Sequence, residues 1–163
     1  MSTKHDEERM LVSKIERGTV VDHIPDWKAD TAARVLGLDR LARTKVDISV
    51  AILQNVQSKT LGRKDIIKID RWHVDEGDAD ILALVFPGIT VNYINEWKVT
   101  KYTPRVPEII EGRIRCPEVL CITNTEREPA VTRFTTNKED RLLQCLYCDT
   151  LLNFDAVPEQ VRT

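Results

Sequence analysis

Four cysteines near the end of the chain constrain it most: Cys116 and Cys121 with four residues between them, then Cys145 and Cys148 with two, and 23 residues separating the pairs. Two short-spaced pairs let two turns each offer two sulfurs to one ion, which is the ligand pattern of a tetrahedral structural zinc site. The histidines, His5, His23 and His73, all lie upstream of the cluster, so the spacing predicts a closed, structural metal rather than one with an open position for water or substrate. The competing readings are two disulfides or four unrelated buried thiols. Disulfides need an oxidising compartment, and the opening MSTKHDEERM holds no apolar stretch of the kind a secretion signal requires, so a cytoplasmic chain with one zinc ion is expected. The metal would matter for folding. A segment the size of 104–163 is marginal on its hydrophobic core alone, and structural zinc contributes on the order of 10 kcal/mol or more.

The remaining composition is that of an ordinary globular protein, 42% hydrophobic and 31% charged over 163 residues. The longest apolar runs, such as ILALVF at 81–86, fall far short of the ~20 residues that span a membrane. TPRVPE at 103–108 reads as an extended connector and sets an expected boundary between a domain at 1–103 and one at 104–163. The first part carries 16 Lys and Arg against 16 Asp and Glu, the second 8 against 10. Neither balance suits a nucleic-acid partner, which argues against a zinc-ribbon binder of DNA or RNA.

Periodicity predicts the elements. Residues 10–24 read as two short strands around Gly18. Asp26 is placed to cap a helix over 27–38, and alternation of Val46, Ile48, Val50 and Ile52 predicts a strand. Ile66, Ile67 and Ile69 predict the next strand. Asp75 or Asp78 can cap a second helix ending before Pro87, and 89–101 reads as an extended segment turning near Asn95. The expected fold is α+β, a mainly antiparallel sheet with two helices on one face (a ferredoxin-like sandwich). A small all-β zinc domain follows, with short strands at 113–115, 131–135, 142–144 and 151–154.

Catalytic chemistry has little support in these residues. Walker, GxGxxG and HExxH motifs are missing, and Asp22 beside His23 is a poor dyad because neighbours in a strand face opposite ways. A binding role is better supported. Lys64 and Lys68, four apart in GRKDIIKI, fall on one face of a strand and can hold a polyphosphate, although lysines so placed are also common as solvated surface charge. By residue type alone, Trp72 and Trp97 read as core or interface aromatics rather than base-stacking platforms.

RGTVVDHIP at 17–25, GRKDIIKI at 62–69, TVNYI at 90–94, CPEVLCITN at 116–124 and CLYC at 145–148 together resemble the regulatory chains of aspartate carbamoyltransferase, over about 11–154. The resemblance implies a non-catalytic chain of pyrimidine biosynthesis. It implies N-terminal domains that pair as a homodimer and zinc domains that dock onto separate catalytic chains, in a dodecamer of two catalytic trimers and three regulatory dimers. CTP, supported by UTP, would inhibit and ATP would activate from one pocket, with magnesium accompanying the nucleotides; such coupling is typically ~1–3 kcal/mol. Carried over by position, Val12 and Ile15 line the base, Asp22 and His23 meet ribose and phosphate, and Lys68 reaches base and ribose. Lys64 and Asn92 contribute further. Backbone groups of Trp97 and Val99 read the base edge, and Lys101 takes the triphosphate, in a stretch one residue shorter than in the family. Between the first cysteines, Glu118 and Leu120 stand where the family often carries asparagines that face the catalytic chain.

Overall fold

The computed structural model describes residues 13–45, 47–127 and 130–162. Its first sheet has five strands, all antiparallel, in the order β2-β3-β1-β4-β5: β1 Gly18–Pro25, β2 Ser49–Ser58, β3 Gly62–Asp70, β4 Thr90–Asn95 and β5 Lys98–Tyr102. Three helices, α1 Ala29–Val35, α2 Leu38–Thr44 and α3 Glu76–Val85, supply the second layer. A second sheet follows, β6-β7-β8-β9, built from Ile109–Glu111, Arg133–Asn137, Leu142–Cys145 and Leu151–Asn153. The architecture is an α+β unit joined to a small all-β unit carrying the cysteines.

Strand alternation divides the first sheet into two chemically different faces. Val21, Ile67, Ile69 and Val91 point to the helices and join Ala29, Ala32, Val35, Leu82 and Leu84 in the core. Their neighbours Val20, Ile66, Lys68 and Asn92 point the other way, to a face that no helix among the described residues covers and that carries the candidate ligand site.

Several elements differ from expectation for identifiable reasons. The single helix over 27–38 is two short ones, because Gly37 takes φ 64°, a left-handed conformation that stops α1 and restarts the chain as α2. Asp26 does not cap α1. That role falls to Asp65 of β3, whose carboxylate accepts from the backbone N–H of Lys28 at 2.9 Å and of Ala29 at 2.8 Å. Asp75 does cap α3, accepting from Gly77 N–H at 2.8 Å. The stretch 89–101 is a hairpin whose two turn residues, Glu96 and Trp97, both have positive φ, the geometry that suits tight two-residue hairpins. Residues 13–17 are not strand; they cross the sheet's end, with Glu16 O accepting from Trp97 N–H and Arg17 O from Arg71 N–H. In the second sheet the first strand is Ile109–Glu111 rather than 113–115, where Ile114 forms only a bridge to Val161. Residues 10–12 and Val46, assigned to strands from sequence, lie outside the described residues.

The two units share one core. Phe154 and Val157, from a 3₁₀ turn at Phe154–Glu159, are buried and pack with α1 and α3. Arg141 bridges the same junction, donating to the carbonyl of Leu84 at 3.4 Å and pairing with Asp155 at 2.8 Å.

Candidate functional site: a cationic pocket and a thiolate cluster

A cavity of about 310 Å³ opens on the face of the first sheet opposite the helices, lined by Lys14, Ile15, Val20, Asp22, Ile66, Lys68, Asn92, Ile94, Trp97 and Val99. Register explains the set. Val20 pairs with both Lys68 and Asn92, and Ile94 with Val99, so strands β3, β1, β4 and β5 bring these side chains to one face. Val20, Ile66, Ile94 and Val99 make an apolar floor, and the Ile15 segment closes one side. A second cavity of about 320 Å³ adjoins it and shares Lys14, Ile15 and Lys68.

The charges are arranged around that floor. Lys64 Nζ lies 2.8 Å from Oδ1 of Asp22, with both side chains largely buried. Lys68 is pushed below the ordinary lysine range by burial, with Asp22 pulling it partly back. A lysine whose charge is penalised by burial and only partly compensated gains from an incoming anion. His23 sits at positive φ in a bulge of β1, donates its backbone N–H to Asp22, and places Nδ1 2.9 Å from Thr90 Oγ1. Lys101 stands directly opposite Asn92 in the β4-β5 ladder and so shares its face.

Of the residues singled out in the sequence, Ile15, Asp22, Lys68, Asn92, Trp97 and Val99 line one cavity. Lys64 meets it through Asp22, while His23 and Lys101 belong to the strands that form it without lining it. Val12 lies outside the described residues. Trp97 is exposed at the rim rather than part of a core. Lys14, Val20, Ile66 and Ile94 were missed; the last three are legible as the period-two partners of Lys68 and Asn92, whereas Lys14 precedes the first strand and carries no such signal.

The second site is in the small unit. Sγ atoms of Cys116, Cys121, Cys145 and Cys148 all lie within 4.8 Å of one another, with Cys116 and Cys148 at 3.5 Å and Cys121 and Cys145 at 3.9 Å. A tetrahedral ion with bonds of about 2.3 Å to sulfur needs sulfurs roughly 3.8 Å apart, so the cluster has the donor type and spacing for one metal ion. Disulfides are absent. Burial pushes the thiols of Cys116 and Cys145 up. Burial pushes Cys148 the same way, yet hydrogen bonding with the Thr150 side chain and backbone and with the thiols of Cys116 and Cys121 outweighs it and holds the group at about 7. Hydroxyls support both pairs: Thr123 Oγ1 lies 3.2 Å from Cys121 Sγ, and Thr150 Oγ1 3.1 Å from Cys148 Sγ. Asn124 holds the first loop closed, donating to the carbonyls of Cys116 and Glu118.

A cavity lined by lysines, a carboxylate and an apolar floor on one sheet, and a closed four-thiol cluster on another, are the features of a binding chain rather than of a catalytic one. Residues 10–104 match the allosteric domain of the aspartate carbamoyltransferase regulatory chain, and residues 108–158 match that chain's metal binding domain. Curated relatives agree over nearly full length. An aspartate carbamoyltransferase regulatory chain of Hyperthermus butylicus is 40% identical over 93% of this chain and 94% of its own. Regulatory chains of Saccharolobus islandicus and Saccharolobus solfataricus are 42% and 40% identical, each over 98% of both proteins. The chain belongs to the family of aspartate carbamoyltransferase regulatory chains. It is accordingly a non-catalytic regulatory subunit of pyrimidine biosynthesis with a metal-binding module, of a family that assembles with catalytic chains. Among the described residues no helix is long and apolar enough to cross a membrane.

Proposed function

We propose that this chain senses nucleoside triphosphates on residues 1–103 and transmits their binding, through a zinc domain at 104–163, to separate catalytic chains. The observation that carries the reading is the placement of Asp22, Lys64, Lys68, Asn92 and Lys101 on one sheet face around an apolar floor. An apolar floor accommodates a base, the carboxylate and amide offer partners to ribose and base edges, and the lysines neutralise phosphates. CTP, UTP and ATP are the effectors, with magnesium on the triphosphate; Ile15, Trp97 and Val99 contact the base, His23 and Asp22 the ribose and phosphate, and Lys101 the triphosphate.

Zinc is the metal that four buried thiolates at tetrahedral spacing favour, and it would be held by Cys116, Cys121, Cys145 and Cys148. It supplies cross-linking of the two cysteine loops. Those loops then present Val119 and Leu120, 80% and 89% exposed, as the surface for a catalytic chain. Val50 and Ile52, exposed on edge strand β2, support pairing of two regulatory chains along that edge. The assembly is the dodecamer of two catalytic trimers and three regulatory dimers, in the cytoplasm.

The deciding experiment measures catalytic activity of the assembled complex against aspartate concentration, with CTP, UTP and ATP added separately. Each nucleotide should displace the curve. Superimposable curves with and without all three nucleotides would overturn the reading.

A further inference from the structure

Arg113 lies in the second unit, three residues before the first metal ligand Cys116, yet its side chain is spent entirely on the first unit. Its guanidinium pairs with Asp75 Oδ1 at 2.8 Å and also with Asp78 Oδ1. These carboxylates begin α3, Asp75 as its cap and Asp78 in its first turn. Between them is Gly77. A Cβ at this position would lie 2.8 Å from Arg113 Nε and closer to its Cζ and Nη2, so the guanidinium occupies the space a side chain would need and packs against the bare helix backbone.

The backbone of Arg113 is fixed as well. Its carbonyl accepts from Arg162 N–H at 3.0 Å, and the next residue, Ile114, is fully buried. The contact borders a cleft of about 270 Å³ between the units, lined also by Arg40 and Arg162. Burial raises the Asp78 carboxyl while Arg113 and Arg40 favour its charged form, so the pair is partly desolvated rather than a fully hydrated surface contact.

The other end of the contact leads to the ligand pocket. Val74, just before α3, donates its N–H to Thr19 Oγ1 at 3.0 Å and accepts from Tyr93 OH at 2.7 Å. Thr19 and Tyr93 are the chain neighbours of Val20 and Asn92, which line the cavity from the opposite face. A ligand that shifts β1 against β4 therefore moves the anchor of α3, and α3 carries Asp75 and Asp78.

We propose that Arg113 is the positioning residue that couples the pocket to the metal loops: its grip on Asp75, Asp78 and Gly77 makes the Cys116 loop follow the first turn of α3. This rests on the effector reading above. Among the described residues the other ion pair across the junction, Arg34 with Glu159 at 2.9 Å, is exposed on both sides and attaches to the 3₁₀ turn at Phe154–Glu159 rather than to a ligand loop.

The test uses the full chain assembled with catalytic chains, as parent, Arg113→Gln and Asp78→Asn. Three quantities are read: the CTP effect on activity at subsaturating aspartate, the CTP dissociation constant, and the zinc content. In both variants the CTP effect should fall below about a third of the parent's while affinity and zinc content stay within about twofold, because the coupling is broken and both sites are left intact. Arg113→Lys keeps the charge but not the fork that spans two carboxylates, and should restore only part of the effect. A parental CTP effect in Asp78→Asn, the milder change, overturns the proposal, as does an equal loss of CTP affinity and effect. A parent complex that ignores CTP would instead defeat the effector reading, and this proposal with it.

Discussion

The carboxylate of Asp65, in the middle of the sheet, accepts a hydrogen bond from the backbone N–H of Ala29 at 2.8 Å and so starts helix α1 from a distance of 36 residues. The same fully buried side chain also takes the N–H of Lys28 and, through Oδ1, the N–H of Asn55 in the bulge of β2. One carboxylate therefore fixes a helix start, a strand bulge and the turn after β1. Asp65→Ala would strand three buried or half-buried donors, each costing ~1–3 kcal/mol, so a loss of at least ~3 kcal/mol is expected in urea unfolding. Asp65→Asn keeps the shape but turns an amide NH₂ towards N–H groups and should cost somewhat less. A loss under about 1 kcal/mol for Asp65→Ala would refute this account.

Asp65 also shows where the sequence stops being legible. Period-two alternation located β2 and β3 and, through Lys64 and Lys68, the face that carries the pocket. The helix cap was sought in the adjacent Asp26 because capping is ordinarily local, whereas here the acceptor comes from another strand. Gly37 was visible as a break, but its effect depends on whether the chain resumes a helix, which it does because Leu38 reaches the core. Within the pocket, Asp22 and Lys68 could be placed by spacing and resemblance. Lys14 and the engagement of Lys64 by Asp22 depend on how separate strands meet, which no local pattern encodes. The metal cluster was fully legible because two short loops must each bring both thiols to one point.

Lys68→Ala and Lys101→Ala should each weaken CTP binding roughly tenfold or more, the usual scale for losing one charge-assisted contact. Isothermal titration at two ionic strengths separates them: added salt should narrow the gap between parent and Lys101→Ala more than that between parent and Lys68→Ala, since exposed Lys101 acts through a screened charge. Unchanged affinity in both variants would remove these residues from the site.

CTP binding should also take up protons at alkaline pH. Burial lowers the Lys68 pKa below the ordinary 10.5, and a bound phosphate favours the charged lysine, so binding raises it again. Affinity is then greatest below the lowered value and falls as pH rises through it. The free chain behaves oppositely: with the folded pKa below the unfolded one, the unfolded state holds more protons between the two, and stability rises with pH there. Titration in two buffers of different ionisation enthalpy measures the uptake, and Lys68→Ala should abolish it.

Leu120, 89% exposed, is expected to matter only in the assembly. Leu120→Asn should change the chain's own stability by no more than ~0.5 kcal/mol, since the side chain is almost wholly exposed. Buried against a catalytic chain, the same residue would contribute as an interface anchor, and the substitution should cost ~1 kcal/mol or more in association, read by sedimentation or competition. Equal effects on stability and association would place Leu120 outside the contact.

Removal of the metal should dismantle the small unit while leaving the five-stranded sheet largely intact. Cys116, Cys121 and Cys145 are buried, and the first loop is otherwise held by short-range contacts, among them Asn124 on the carbonyls of Cys116 and Glu118 and the N–H of Cys121 on Glu118 O, while Cys145 ends strand β8. Without a cation, four thiols at this spacing either repel as thiolates or remain protonated with little gain from proximity, so the loops lose their cross-link. Structural zinc supplies on the order of 10 kcal/mol, more than a unit this small gains from its core. After exhaustive chelation all four thiols should react rapidly with a disulfide reagent, and association with catalytic chains should fail. CTP titration should still find a pocket of similar affinity, because Asp22, Lys68 and Asn92 belong to strands of the other sheet. Zinc should restore both thiol protection and association, and a metal-free chain that stays protected and still associates would contradict the structural role.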